Sequence, residues 1–180
     1  MNSTNALKQR FPDQFTRVFE YGLSIEPGWI GIIEDTCAQI DALLPENLKP
    51  RFSWLQVKEK MGGLRMYWSG GWIEPNMRGY IDGVGQMDWD PGLSDDAKSR
   101  VIKAIMRETM LPEPVCDEIR KITDAAEANA SKTCQLCGLP GAHHVIDGWH
   151  WTVCDQHATK ERIIAARMQQ EEEYRDLCDG

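Results

Sequence analysis

Four residues in the last third of the chain have the types and the spacing of a metal site. Cys134 and Cys137 form a C-x2-C pair, sixteen residues follow, and Cys154 and His157 form a C-x2-H pair. Each short interval puts two donors on one side of a cation. Zn2+ takes four thiolate or imidazole donors in a tetrahedron. Three thiolates and one imidazole complete that shell and leave no position for water, so the expected Zn2+ is structural rather than catalytic. Gly138, directly after the first pair, suits the tight turn that such a pair needs. The remaining cysteines, Cys37, Cys116 and Cys178, are scattered. They do not read as a disulfide framework, and Cys37 and Cys116 read as small buried hydrophobes.

Between the two ligand pairs lies AHHVIDGWHWTV. Asp147-Gly148 is a two-residue hairpin signal. It places Ile146 opposite Trp149, Val145 opposite His150, His144 opposite Trp151 and His143 opposite Thr152. An apolar pattern from Ala158 to Cys178 predicts a helix whose first turn carries the last two ligands. The order of knuckle, β-hairpin and helix is that of a treble-clef-like zinc finger. Treble-clef nucleases of the HNH type carry a catalytic histidine on this hairpin, so His143 and His144 are a candidate general base beside a second metal. The interval to Cys154 is short for that class, and no Asn lies between His144 and His157. Hairpin packing is the plainer reading of both histidines.

A second candidate is KEKMGGLR, where Lys58, Lys60 and Arg65 flank Gly62 and Gly63. Exposed backbone N–H groups beside cations can hold a phosphate. The order of a P-loop is absent, and a solvated hairpin turn accounts for the same residues. Trp54, Tyr67, Trp68, Trp72, Tyr80 and Trp89 crowd the same region. Most are expected in a core. Trp68 and its neighbours, beside Arg65 and Arg78, are candidates for a partner-binding surface.

These residues need elements to hold them. Short helical pieces are expected over 4–20 around Pro12. A helix over 28–43 carries Trp29, Ile33, Cys37 and Ile40 on one face. Strands are expected at 52–58 and 63–69, joined through 58–63. Residues 70–93 read as short strands or a long ordered loop, and 70–112 as an insertion. Helices are expected over 94–110 and 114–131, the latter with Val115, Ile119, Ile122 and Ala126 on one face. The fold class is therefore α+β: a small antiparallel β element packed with helices, plus a C-terminal treble-clef-like zinc module. The division is a core over 1–131 and a zinc finger with its helix over 132–180.

The 180 residues carry a formal charge of −8, spread as −3, −2 and −3 over 1–50, 51–131 and 132–180. That excludes a generic nucleic-acid coat, which needs concentrated positive charge. No apolar run approaches the length of a membrane span, and the first residues lack the apolar core of a secretory signal. The expectation is a cytoplasmic protein.

Four segments occur in a fixed order: PGWIGIIEDTCAQI, QVKEKMGGLRMYW, AEANASKTCQLCGLPG and WTVCDQH. Together they resemble an uncharacterised group of bacterial, phage and prophage proteins. That group shares a GW-containing helix, a Q-V-K-E-K-[FM]-G-x-L-R hairpin, an A-E-A-x-S approach and a C-x2-C-G…C-x2-H finger. The resemblance covers about 28–68 and 124–158 and implies origin and fold more than activity. The resulting expectation is a non-enzymatic accessory protein that binds a host or viral macromolecule, a protein partner first. The alternatives are a divergent HNH-like nuclease using His143 or His144, and nucleic-acid binding through the basic hairpin over 51–65.

Overall fold

The computed structural model describes residues 3–16, 23–70 and 110–178, with single positions at 94 and 96. The expected strands or loop over 70–93, the helix over 94–110, and Trp72, Arg78, Tyr80 and Trp89 lie outside the described residues. Helix α1 (Ser3–Arg10) leads into a 3₁₀ turn at Pro12–Phe15. Strand β1 (Leu23–Ser24) and a second 3₁₀ turn at Pro27–Trp29 precede α2 (Ile30–Leu43). Strands β2 (Ser53–Lys60) and β3 (Gly63–Ser69) form the main hairpin, and α3 (Glu113–Ala130) follows. The C-terminal part holds β4 (Ala142–Ile146), β5 (Trp149–Val153) and α4 (Lys160–Cys178). The class is α+β, with small sheets, helices and a C-terminal Cys3His cluster.

The main sheet has the order β1-β2-β3. It is not purely antiparallel as expected, because β1 adds a short parallel edge with Leu23 opposite Val57. Two residues are too few to show a period, so this strand left no mark in the sequence. Strand β2 also runs to Lys60, two residues past its expected end. The turn is then Met61-Gly62 alone, with φ of 54° and 74°, both in the left-handed region that a two-residue I′ hairpin demands.

One apolar cluster spans both layers. Trp29, Ile33, Cys37 and Ile40 of the α2 face meet Phe52, Trp54, Val57 and Leu64 of the sheet. Leu7, Phe11 and Phe15 close one end. Phe52 meets Trp54 edge-on at 5.1 Å between centroids, a favoured aromatic geometry. Along α3 the buried stripe is Cys116, Ile119, Thr123, Ala126 and Ala130. It is turned slightly from the expected one, which leaves Val115 and Ile122 partly buried at its border. Thr123 tolerates burial because its hydroxyl donates to the Ile119 carbonyl at 3.1 Å.

A buried amide ties three elements inside this core. Gln14 Nε2 donates to the Cys37 carbonyl at 2.8 Å, and Trp54 Nε1 donates to Gln14 Oε1 at 3.2 Å. The Gln14 carbonyl accepts from Ser53 Oγ at 3.3 Å. Burial pushes the Cys37 thiol up to about 12, with a hydrogen bond from Trp54 only partly opposing it. Cys37 is therefore the inert small hydrophobe its position on the stripe implied.

The entry to α2 is fixed by a backbone contact rather than by a cap. Gly28 N–H donates to the Gln135 carbonyl at 2.8 Å. A Cβ on Gly28 would stand 2.1 Å from the Cys134 carbonyl oxygen and 2.5 Å from Gly138 N. Beside it, Trp29 is wholly buried and its Nε1 donates to the Thr133 carbonyl at 2.8 Å. Gly31, one turn on, has nothing within 4 Å of the equivalent position. The two substitutions therefore have opposite expected signs. Gly31→Ala should stabilise by about 0.5–1 kcal/mol through helix propensity. Gly28→Ala should destabilise by about 3 kcal/mol or more through backbone overlap. Urea denaturation of the three proteins measures both, and equal effects would disprove the backbone contact.

Candidate metal centre

The first ligand pair sits on a turn knotted by backbone hydrogen bonds. Cys134 N–H donates to the Leu139 carbonyl at 2.7 Å, and Gly138 N–H donates to the Cys134 carbonyl at 2.9 Å. Gly138 has φ of 77°, which fits its expected role in the tight turn. The second pair is carried differently from expectation. Residues 155–157 form a turn, with His157 N–H donating to the Cys154 carbonyl at 2.8 Å. Helix α4 begins only at Lys160. Thr159 acts as its cap, its Oγ1 accepting from Arg162 N–H at 3.4 Å, as hydroxyl residues do at helix starts. The last two ligands thus stand on a turn just before the helix.

The two turns bring all four donors within 4.8 Å of one another. Cys137 Sγ and Cys154 Sγ are 3.8 Å apart. His157 Nδ1 lies 3.5 Å from Cys134 Sγ and 3.4 Å from Cys154 Sγ. A tetrahedral cation at about 2.3 Å from sulfur and about 2.0–2.1 Å from nitrogen requires edges of about 3.8 Å for S···S and about 3.6 Å for S···N. These three of the six edges are close to those dimensions and the others lie within 4.8 Å, so the residues present fit a metal ion. Cys134 and Cys154 are buried, His157 is half-buried and Cys137 is exposed.

The thiols differ in readiness to ionise. Desolvation raises Cys134, but backbone N–H groups of Cys154, Cys137 and Leu136 outweigh it and hold that thiol below its ordinary value. Cys137 is pushed up to about 11, first by desolvation and then by the neighbouring sulfurs. Crowded thiolates repel one another, and a cation relieves that repulsion as it binds and displaces their protons.

The hairpin between the ligand pairs has the register that Asp147-Gly148 implied, with His144 opposite Trp151 and His143 opposite Thr152. His143 and His144 therefore point to opposite faces. His143 Nε2 lies 2.9 Å from His150 Nδ1, while His144 shares its face with Trp151. Trp151 in turn carries the Arg167 guanidinium over its ring at 4.8 Å. Among the described residues, the only group of three or more metal-ligating side chains is the Cys3His cluster.

The KEKMGGLR turn meets this hairpin directly. Thr152 Oγ1 donates to the Gly62 carbonyl at 2.6 Å, and a Cβ on Gly62 would stand 3.0 Å from Trp151 N. Gly62 N–H, the donor a phosphate would need, donates to Glu59 Oε1 at 2.6 Å. Arg65 Nη1 donates to the Leu64 carbonyl at 2.8 Å and faces Glu127 at 3.5 Å. Gly63 leads into β3, with the Arg65 guanidinium folded over it. Trp68 packs on the core at 5.9 Å from Phe52. Of the proposed contact set, Lys60 is exposed and Lys58 half-buried, whereas Gly62, Gly63, Arg65 and Trp68 make contacts within the fold.

Three polar residues had no signal of their own in the sequence. Glu127 Oε1 accepts from Met66 N–H at 3.0 Å, so α3 clamps the free edge of β3. Gln135, between the first two cysteines, is buried. Its Oε1 accepts from Thr152 N–H at 2.9 Å, and its side chain also bonds Glu26. Burial raises the Glu26 carboxyl above its ordinary value, opposed by Arg167, whose Nη2 is 2.9 Å away. Buried Gln and Thr show no period and carry no charge, so only their partners reveal them.

Comparison with family models, with curated proteins and with solved structures returns no match.

The Cys3His cluster should hold one equivalent of Zn2+, counted by elemental analysis after dialysis. Cys134→Ser or Cys154→Ser should abolish it, whereas Cys37→Ala should leave it at one. Gln135→Ala strands the buried Thr152 N–H and should cost about 1–3 kcal/mol, measured by thermal or urea unfolding of the metal-loaded protein.

Proposed function

We propose that the chain is a non-enzymatic, zinc-stabilised accessory protein of phage or prophage type, which acts by binding a host or viral protein. The observation that carries this reading is the donor set itself. Three sulfurs and one imidazole lie within 4.8 Å of one another, three of their six edges at tetrahedral length, and that set suits Zn2+ and leaves it no open position. The ion then supplies folding energy rather than a nucleophile. What remains for function is the surface that the centre holds in place. Trp149 at the hairpin tip is 72% exposed, and Val145 on the other hairpin face and Ile164 and Met168 on α4 are exposed as well. Aromatic and Met side chains are the usual anchors of protein interfaces. The phage origin rests on the four-segment resemblance. Modulation of a host defence or nucleic-acid machine would be one use of such a binder. No helix among the described residues is long and apolar enough to cross a membrane.

Two measurements test this. Chelation of the ion should lower the thermal transition of the whole protein, and an unchanged transition would remove the structural role. Affinity purification from a bacterial host lysate, with and without nuclease, should recover one stoichiometric protein partner in both arms. The Trp149→Ala variant should lose that partner while keeping its metal and its melting temperature. Recovery only in the presence of nucleic acid would transfer the reading to the basic hairpin.

A further inference from the structure

We propose that His143 and His150 form a second cation site, solvent-facing and separate from the Cys3His cluster, which takes a borderline divalent transition-metal ion such as Ni2+ or Cu2+. The two imidazoles come from adjacent strands of the β4-β5 hairpin, at a diagonal position on one face, His143 exposed and His150 half-buried. Their nitrogens are 2.9 Å apart and their ring centroids 5.1 Å apart, so the two rings meet nearly end to end over one shared proton. Replacing that proton by a cation requires a tilt of each ring about its broad terminal torsion.

Imidazole suits Ni2+ and Cu2+ over Mg2+ or Ca2+, which take oxygen donors. The remaining positions face water, unlike those of the closed Cys3His centre. The scaffold is firm: the Asp147-Gly148 turn sets the register, and Thr152, next along this face, is pinned to Gln135 and Gly62. A site on paired strands keeps its donors closer to position than one on a loop.

The test is calorimetric titration of Ni2+ into the untagged full-length chain, with its Cys3His centre already saturated. One equivalent of Ni2+ should bind without releasing the resident ion, and Mg2+ should give no heat. His143→Gln and His150→Gln should each weaken Ni2+ binding at least as much as loss of an outer-shell partner does, about 10–100-fold. His144→Gln, on the opposite face, should not change it. Matching thermal transitions without Ni2+ establish that the variants fold, and the exposed His143 and half-buried His150 allow that. No Ni2+ uptake, uptake unaffected by His143→Gln, or uptake matched by release of the resident ion would each overturn the proposal.

Discussion

The close passage of Gly28 across the first metal knuckle is the contact on which the remaining architecture depends. At that point the backbone of one part of the chain lies within hydrogen-bond distance of the backbone of another, with no room for a single methyl group. Trp29 follows it into the core and returns a hydrogen bond to Thr133. One Gly-Trp dipeptide thus sets where α2 begins, where the largest core side chain sits and how the knuckle is backed. A metal turn that elsewhere would be closed only by its ion here has a protein surface behind it.

A second junction repeats this logic from the other side. The Met61-Gly62 turn of the main hairpin abuts the backbone of β5, and Thr152 and Gln135 join the two through buried hydrogen bonds. Glu26, Arg167 and Trp151 extend the junction onto α4. Burying so many polar groups is tolerable only because each finds a partner: among the described residues no buried side-chain nitrogen or oxygen lacks one. An ion held by the Cys3His cluster would reinforce core packing, since it would fix the knuckle and the second ligand turn that present backbone groups to Gly28, Gly62 and Thr152.

The sequence exposed this plan unevenly, for physical reasons. The ligand spacing, the Asp147-Gly148 register and the α2 stripe were legible because each is a local pattern with one geometric solution. The glycines of KEKMGGLR were visible, but their use was not. A positive φ and a close backbone approach look the same in sequence as an anion cradle, and only the position of Glu59 and β5 separates them. The start of α4 moved because the spacing of Cys154 and His157 suits a ligand turn and a first helical turn equally well. Thr159, the cap that decides it, is one hydroxyl among several. Strand β1, Gln14 and Gln135 were illegible because a two-residue strand has no period and a buried amide has meaning only through its partners. The α+β class survived these misses, since it rests on the long periodic elements.

The four segments that mark the resemblance now have a common physical reading. Gly28 and Trp29 contact the knuckle, Gly62 contacts β5, Glu127 clamps β3, and Cys134, Cys137, Cys154 and His157 form the cluster. Each segment contributes to docking the metal module on the helix-sheet core. Residues used for docking are internal, so they are not available to a partner at the surface. The side chains left available on the hairpin are Trp149 on one face, and Val145 and the His143–His150 pair on the other, toward the tip from the buried Thr152. Paired strands anchored on the core at one end and held at the turn by the Asp147–Lys160 ion pair form a stiff arm, and a stiff arm with an exposed Trp and two imidazoles loses little entropy when something binds it.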